Sequence, residues 1–489
     1  MNTDYDIVII GGGILGCFTA RNLARYNWNI AVFEKNCDVC TEVSKANTAI
    51  IYSGYDPKPG SLKARMSIQA IQNFERLCES LSVRHSKLGS LMVSFGDRGD
   101  SALIEKYNQG KLNGVADLRI ISAAETIALE PGINNSVTGA LYAPDAATLN
   151  PWELGIAGAV NAANNSVSFN FNAEITGIEK KDDVYILFIG DRAVTAKAVV
   201  NCAGLFGDEV SEMINYPRFK IETSVADYLL LDEKARSFVN HIVMYEPEEK
   251  RKRISIVPTV DGNILLGPSR IKTDSKESFD TTRVGCEQIS NAAEYVFPNL
   301  PLNTVIRTFA SIRPSISLLN LDEEGNYYPT SERVHDLLIY ETENPGFINL
   351  AGIKTPGLTC CDEIGKHVTD MLLDILGNPG ENTEFSEKVE KPKRFREMTY
   401  KEQDELIKKD HCNGKIVCRC RHITEAEIRR SIRETLGAKT LDGVKRRMGA
   451  QMGRCQGGFC TQKIIEILAE ELGVGIEAVR KDNKGSELI

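Results

Sequence analysis

The chain has 489 residues, 42% of them hydrophobic and 26% charged, with a formal net charge of −9. That length is about three times the usual domain of ~150 residues, so two or three domains are expected. Ordinary globular composition excludes collagen-like, low-complexity and disordered classes. The acidic balance argues against a nucleic-acid binder, which carries a basic excess on the domain that meets phosphate.

At the N-terminus, Asp6 to Ile10 is a β-branched run of buried-strand type, followed by glycines, a helix-permissive stretch from Ile14 to Arg25 and a second strand from Ile30 to Glu34. Gly11, Gly13 and Gly16 form G-x-G-x-x-G at the first strand–helix junction, and Glu34 stands about 20 residues on. The first glycine permits the tight turn, the second lets backbone approach a pyrophosphate, and the third allows close helix–strand packing. The helix N-terminus offers free N–H donors, and the acid accepts from a ribose hydroxyl. A dinucleotide site follows, with NAD and FAD both open on these residues. Lys35 extends it as a further binding candidate.

Residues 7 to 20 are the longest apolar stretch, but only Asp4 and Asp6 precede them and four glycines interrupt them. A signal peptide needs a basic leader and a bilayer span needs more length, so a cytoplasmic protein without a transmembrane segment is expected. Thirteen cysteines in that setting point to metal or redox chemistry, not a disulfide framework. Cys37-x2-Cys40 lies in the loop after Glu34 without partner ligands, and Cys360 and Cys361 read as buried small side chains.

Further on, apolar residues from Leu62 to Leu81 recur at helical spacing, Trp152 to Ala163 also reads as helix, and strand-like alternation dominates from about 166 to 200. Mixed α/β structure is the consequence. Residues 378–411 turn to Gly, Pro, Lys and Glu with little apolar periodicity and mark a linker. No repeat at a 20–50 residue period is visible.

Beyond that boundary, Cys418-x-Cys420 and Cys455-x4-Cys460 supply four thiolates in two close pairs. A [2Fe–2S] rhomb requires this, because each iron takes two terminal sulfurs. Zinc is the rival, although ribbon sites generally use C-x2–4-C in both halves. Between 415 and 463 twelve Lys or Arg face four acids, a local excess that can offset a tetrathiolate cluster or guide an acidic partner. Gly453, Gly457 and Gly458 let backbone N–H groups approach the sulfurs.

Four ordered segments, ANTAIIYSGYDPKPGSLKAR (46–65), NCAGLFGDE (201–209), PTVDGNILLGP (258–268) and INLAGIKTPGLT (348–359), together resemble the D-amino-acid-oxidase-like superfamily of flavoenzymes. The likeness is greatest to the glycerol-3-phosphate and L-2-hydroxyglutarate dehydrogenase branch, over residues 4–376. VCRCRHITEAEI…GRCQGGFC resembles the ferredoxin-like domain first described in bacterioferritin-associated ferredoxin, in its flavoprotein-fused form. The resemblance implies FAD and a [2Fe–2S] cluster. It also implies an α/β fold: a Rossmann-like, glutathione-reductase-type FAD domain with an inserted α+β substrate domain, plus a small C-terminal helical cluster domain. The FAD segments would be about 1–85, 145–215 and 335–377, the substrate segments about 86–144 and 216–334, the cluster domain 412–470 and a tail 471–489. Ser44, Asn47 and Thr48 match positions near the flavin, and Ala203 and Gly204 match the adenosine side. Gly352, Gly357, Leu358 and Thr359 match a run that approaches the isoalloxazine ring.

Arg313, in SIRP, matches the arginine such relatives use for substrate carboxylate or phosphate, and its fork suits either anion. Arg270 and Lys354 are candidates for a second charge. Tyr52 stands where relatives commonly carry His, and a phenol with a pKa near ~10 is a poor base at neutral pH unless its environment lowers it. The expected substrate is small and anionic, glycerol 3-phosphate or a 2-hydroxy acid, with an amine, imino acid or opine as the alternative. An electron-transfer subunit that uses both cofactors only as relays is a third reading. No second G-x-G-x-x-G that could seat NAD follows residue 34, so electrons are expected to leave through the cluster to a second redox subunit or acceptor protein, with peripheral membrane association open.

Overall fold

The structure is a computed structural model and describes residues 3–246, 253–321, 327–334 and 336–488. Strand Tyr5–Ile10 lies between parallel strands Ile30–Phe33 and Arg192–Asn201. Ser168–Asn170 extends the sheet on one side, and Phe347–Ala351 pairs in parallel with Arg192–Asn201 on the other. Buried on both faces, Ile7 to Ile10 and Ile30–Phe33 read as unbroken apolar runs. Ile7, Ile9, Val32 and Val200 are fully buried, each contributing roughly 1.5–3 kcal/mol of transfer free energy. Helix Ile14–Leu23 packs into the same core, which includes Ile364 and Leu372 of helix Cys361–Leu376. The first strand and first helix are therefore completed by chain more than three hundred residues away.

A second, largely antiparallel sheet of ten strands, among the described residues, takes Ser90–Ser94, Arg119–Ser122, Gly139–Ala143 and everything from Phe219–Leu231 to Tyr327–Arg333. The chain thus leaves the first sheet twice and returns twice. Strands Phe219–Leu231 and Val305–Leu321 pair along their whole length, with Ser224 opposite Arg313, Ala226 opposite Ser311 and Tyr228 opposite Phe309. Period-two alternation puts all six on one face of the pair.

The C-terminal part packs helices Glu425–Arg433, Leu441–Met448 and Thr461–Leu472 around Ile428, Val444, Ile464 and Leu468. Segment 378–411 is a strap and not a bare spacer. Val389 is buried and its N–H donates to Ser80, Asn382 and Ser386 bond to Ala24 and Asn165, and a capping box at Thr399 and Glu402 starts helix Tyr400–Lys409. Its anchors are scattered, with Val389 and Phe395 buried, Phe385 packed on the first core and Arg394 paired with Glu153, and they carry no periodic signal. The tail 471–488 also turns back, burying Val479 and placing Asp482 against Arg446. Among the described residues no helix is long and apolar enough to cross a membrane.

Candidate functional site

The glycine-rich turn is shaped by backbone. Gly11 has φ +102°, and a Cβ there would lie 2.6 Å from the Cys202 carbonyl oxygen; at Gly16 it would lie 2.0 Å from the Gly11 carbonyl. Glu34 is 8% exposed and accepts from the Gly12 N–H (2.6 Å) and the Asn36 N–H (2.8 Å), while burial raises its pKa. Lys35 pairs with Glu42 (3.1 Å) and lies over the Phe206 ring, 3.5 Å from its centroid.

Two cavities of about 820 and 970 Å³ share Gly13, Val43, Ser44, Cys202 and Gly204, and so form one long cleft. Gly11, Glu34, Lys35, Ala203 and Phe206 line one end. Asn47, Thr48, Tyr52, Arg313, Lys354, Gly357, Leu358 and Thr359 line the other. Gly16 and Gly352 are not on the wall. Gly16 packs against Gly11, and Gly352 (φ +59°) leaves room for Ile316, whose Cγ1 would stand 2.1 Å from a Cβ. Sequence reasoning missed Phe206, Tyr228 and Ser311 as wall residues: Phe206 lies inside NCAGLFGDE and Ser311 two residues before Arg313 in SIRP, while Tyr228 comes from a distant strand without a local motif.

At the second end the loops interlock. Ser44 Oγ accepts from the Ile14 N–H (3.0 Å), Asn47 bonds the Ser44 carbonyl (2.9 Å), and the Tyr52 N–H donates to Thr359 Oγ1 (3.2 Å). Arg313 donates to Thr355 Oγ1 (3.1 Å) and is hydrogen-bonded to the Tyr228 hydroxyl. Burial pushes the Tyr52 phenol above its ordinary pKa, against the opposing effects of its Thr48 hydrogen bond and the Arg313 charge. The environment therefore does not lower Tyr52 toward neutrality. Lys354 reaches solvent at the cleft mouth and donates to Ser315 Oγ (2.9 Å). Partial desolvation, then the charges of Arg313, Arg270 and Lys63, bring it down to about 8.

The long cleft fits a dinucleotide. Its backbone is held open at Gly11 and Gly13, an acid stands at one end, and the buried Ser311 hydroxyl on the wall lacks a partner among the described residues.

At the C-terminal end the thiols come as two pairs. Cys420 and Cys455 sulfurs are 3.5 Å apart. A hydrogen bond from Cys460, with backbone N–H groups of Gln451 and Arg421, outweighs burial and pulls Cys418 down to about 6. Backbone N–H groups of Phe459 and Gly457 point at Cys455. Gly457 has φ +95°, and a Cβ on Gly453 would lie 2.2 Å from Cys420 Cβ. No three His, Cys, Asp or Glu side chains among the described residues converge as a single-ion site. Two thiol pairs ringed by N–H donors fit a two-iron, two-sulfide cluster, with one pair buried and Cys420 exposed.

Much of the local basic excess is used inside the molecule. Arg421 pairs with Asp261 (2.9 Å), Arg454 with Asp232 (2.7 Å), Arg447 with Asp38 (2.7 Å), and Arg429 and Arg433 with Glu471. These cations fasten the C-terminal domain to the rest of the chain or to itself, which the sequence count could not distinguish from a docking surface.

A dinucleotide cleft lined in part by a second sheet, with a thiol-lined cluster site in a C-terminal domain fastened to the same body, is the architecture of a flavin- and iron–sulfur-dependent oxidoreductase. The chain belongs to the family described as FAD dependent oxidoreductase, which it matches over residues 6–371, and carries a BFD-like [2Fe-2S] binding domain at 416–470. A protein named glycerol 3-phosphate dehydrogenase from Caloramator mitchellensis is 38% identical over 485 residues, 99% of this chain and 98% of that one. Among solved structures, FAD-bound L-alpha-glycerophosphate oxidase from Mycoplasma pneumoniae covers 80% of this chain and all of its own, at TM-score 0.71 and 24% identity. The glycerol-3-phosphate dehydrogenase of Bacillus halodurans, complexed with FAD, covers 96% and 91% at TM-score 0.68 and 18% identity. At those identities the structures establish the fold. FAD and a [2Fe–2S] cluster are the cofactors.

Proposed function

We propose that the chain is a dehydrogenase of a small anionic alcohol, glycerol 3-phosphate before a 2-hydroxy acid. The observation that carries this reading is the meeting of Arg313 and Lys354 on one wall of the cleft. Arg313 presents a planar fork to phosphate or carboxylate. Lys354, at about 8, holds a neutral fraction near physiological pH and takes the hydroxyl proton on Nζ. Tyr52, raised above its ordinary value, keeps its proton and orients the substrate as a donor. When bound, FAD supplies the hydride acceptor and the cluster a one-electron exit. Gly11, Gly13, Glu34 and Lys35 would hold the adenosine half, and Ser44, Asn47, Thr48, Gly357, Leu358 and Thr359 the flavin half. Cys418, Cys420, Cys455 and Cys460 would ligate the cluster.

The name of the full-length relative supports glycerol 3-phosphate. An amine or imino acid needs no strong base, so the placement of Lys354 favours the alcohol. With anion-binding and base groups in one cleft, substrate oxidation belongs to this chain and not to another subunit. Electrons leave past exposed Cys420 and the 75% exposed Phe459 to a second redox subunit or acceptor protein. None of the thirteen cysteines is in a disulfide and four would ligate the cluster, a usage that supports a cytoplasmic location.

Anaerobic mixing with glycerol 3-phosphate, 2-hydroxyglutarate, lactate, sarcosine, proline and opines tests the assignment by flavin bleaching. Glycerol 3-phosphate should bleach fastest. Arg313→Lys should then lower kcat/KM roughly 100-fold, about 2.7 kcal/mol, with FAD content unchanged. Fastest bleaching by an amine would replace the alcohol reading.

A further inference from the structure

The loop from Lys35 to Lys45 has two faces, and each meets a different part of the molecule. One face, with Lys35, Asn36, Thr41, Glu42, Val43 and Ser44, walls the adenosine end of the cleft. The other is gripped by the C-terminal domain. The Asp38 carboxylate accepts from Arg447 Nη1 (2.7 Å) and Nη2 (2.9 Å) and from Arg446 Nη2 (2.9 Å). All three side chains are buried, at 6%, 6% and 3% exposure. The tail adds Asn483, which accepts from the Cys37 N–H (3.3 Å), and Asp482, which pairs with Lys45 (3.3 Å). Between the two faces, the Cys40 N–H donates to the Gly12 carbonyl (2.9 Å), which ties the loop to the glycine-rich turn.

Docking alone does not require this arrangement. Arg454 with Asp232, Arg421 with Asp261 and Arg394 with Glu153 already join the C-terminal parts to the body of the chain, and none of these acids lies on the cleft loop. Asp38 does, and it takes a bidentate fork and a second arginine at once. A carboxylate held this way fixes its backbone, because truncating it would leave buried Arg447 with only the Gly443 and Leu436 carbonyls and buried Arg446 with Asp482 alone. Burial works to raise its pKa, but Arg447 and Arg446 outweigh burial and bring it to about 2.

We propose that the C-terminal domain, through Arg446 and Arg447 on Asp38, sets how tightly the chain retains FAD, with Asp38 as a positioning residue for the cofactor loop. This rests on the reading of the cleft's Glu34 end as the adenosine site. It gives the Cys37-x2-Cys40 loop a role that needs no chemistry from its thiols. It also makes the domain a clamp for the first cofactor as well as the carrier of the second, and by linkage FAD binding must favour the docked domain to the same degree.

The test is FAD dissociation from purified full-length holoprotein, followed by the recovery of flavin fluorescence on dilution. Asp38→Asn should raise the FAD dissociation constant roughly tenfold, the equivalent of about 1.4 kcal/mol. Arg447→Lys, which keeps the charge and loses the fork, should give a smaller rise and serves if Asp38→Asn folds poorly. Asp232→Asn, at a contact remote from the loop, should leave FAD retention unchanged. Wild-type retention in Asp38→Asn and Arg447→Lys overturns the proposal, as does a rise in Asp232→Asn equal to that in Asp38→Asn. Gly11→Val separates the underlying reading: if that variant keeps FAD at wild-type affinity, the cleft assignment itself falls.

Discussion

The two ends of the cleft are built by opposite means. At the adenosine end the chain supplies geometry with backbone: Gly11 in a left-handed turn, Gly16 pressed on the Gly11 carbonyl, and Glu34 bonded to the Gly12 N–H. Its central turn needs only two adjacent strands and one helix. At the substrate end the geometry is supplied by side chains from three separated stretches, Tyr52, Arg313 and Lys354, which only the pairing of long strands and the Thr359 loop brings together. At Gly11 and Gly16 the first end tolerates no added atom, whereas the second tolerates changes of side chain but is set by charge.

That contrast is tested most severely at Gly16. A Cβ would sit 2.0 Å from the Gly11 carbonyl oxygen. Gly16→Val should therefore cost about 3 kcal/mol or more and yield protein almost free of FAD, read by flavin absorbance and a lowered Tm. Normal FAD loading would mean that backbone crowding does not govern this end.

Lys354→Met probes the other end, where shape survives and charge does not. FAD content should hold while kcat falls on the order of 10²–10⁴-fold. The sign of the pH dependence follows from the role. Lys354 must be neutral to accept a proton, so wild-type kcat/KM should rise with pH and level off above about 8. The methionine variant should lose that limb. Activity that falls as pH rises through this window would assign Lys354 to anion binding, as a cation, and remove it as the base.

Tyr52→Phe is the smallest expected effect. Its phenol keeps its proton and bonds Thr48, so losing the hydroxyl should cost about 0.5–1.5 kcal/mol in kcat/KM, without change in the pH profile. A large loss with a displaced limb would return the base to Tyr52.

The same contrast explains what the sequence discloses. The strand–glycine–helix–strand unit is local, with both periodicities and the glycine spacing inside thirty residues, and the structure has each piece: Tyr5–Ile10, Ile14–Leu23, Ile30–Phe33 and Glu34. The paired cysteines are equally local. Ser311 is legible only through Arg313, two residues on in the same strand, and Tyr228 is not local at all, because register between two strands about eighty residues apart decides that it faces the cavity. Neither could twelve basic residues reveal which were already paired, since Asp38, Asp232 and Asp261 lie far away in sequence. The strap reads as linker because Val389, Phe395, Asn382 and Ser386 hold it at single points.

The contact of Asp38 with Arg447 and of Cys37 with Asn483 also orders events during synthesis. The loop that walls the nucleotide cleft leaves the ribosome about four hundred residues ahead of its fastening. At ~5–20 residues per second, the N-terminal unit waits tens of seconds for Phe347–Ala351 to extend its sheet and longer for the arginines. Closing so long a loop is slow and entropically costly, and over that interval the early strands expose an apolar face. A nascent chain of this design gains from early FAD binding, which would occupy the cleft before its last wall is braced, and its yield should depend on flavin supply during expression more than that of a protein whose cofactor loop is held by neighbours in sequence.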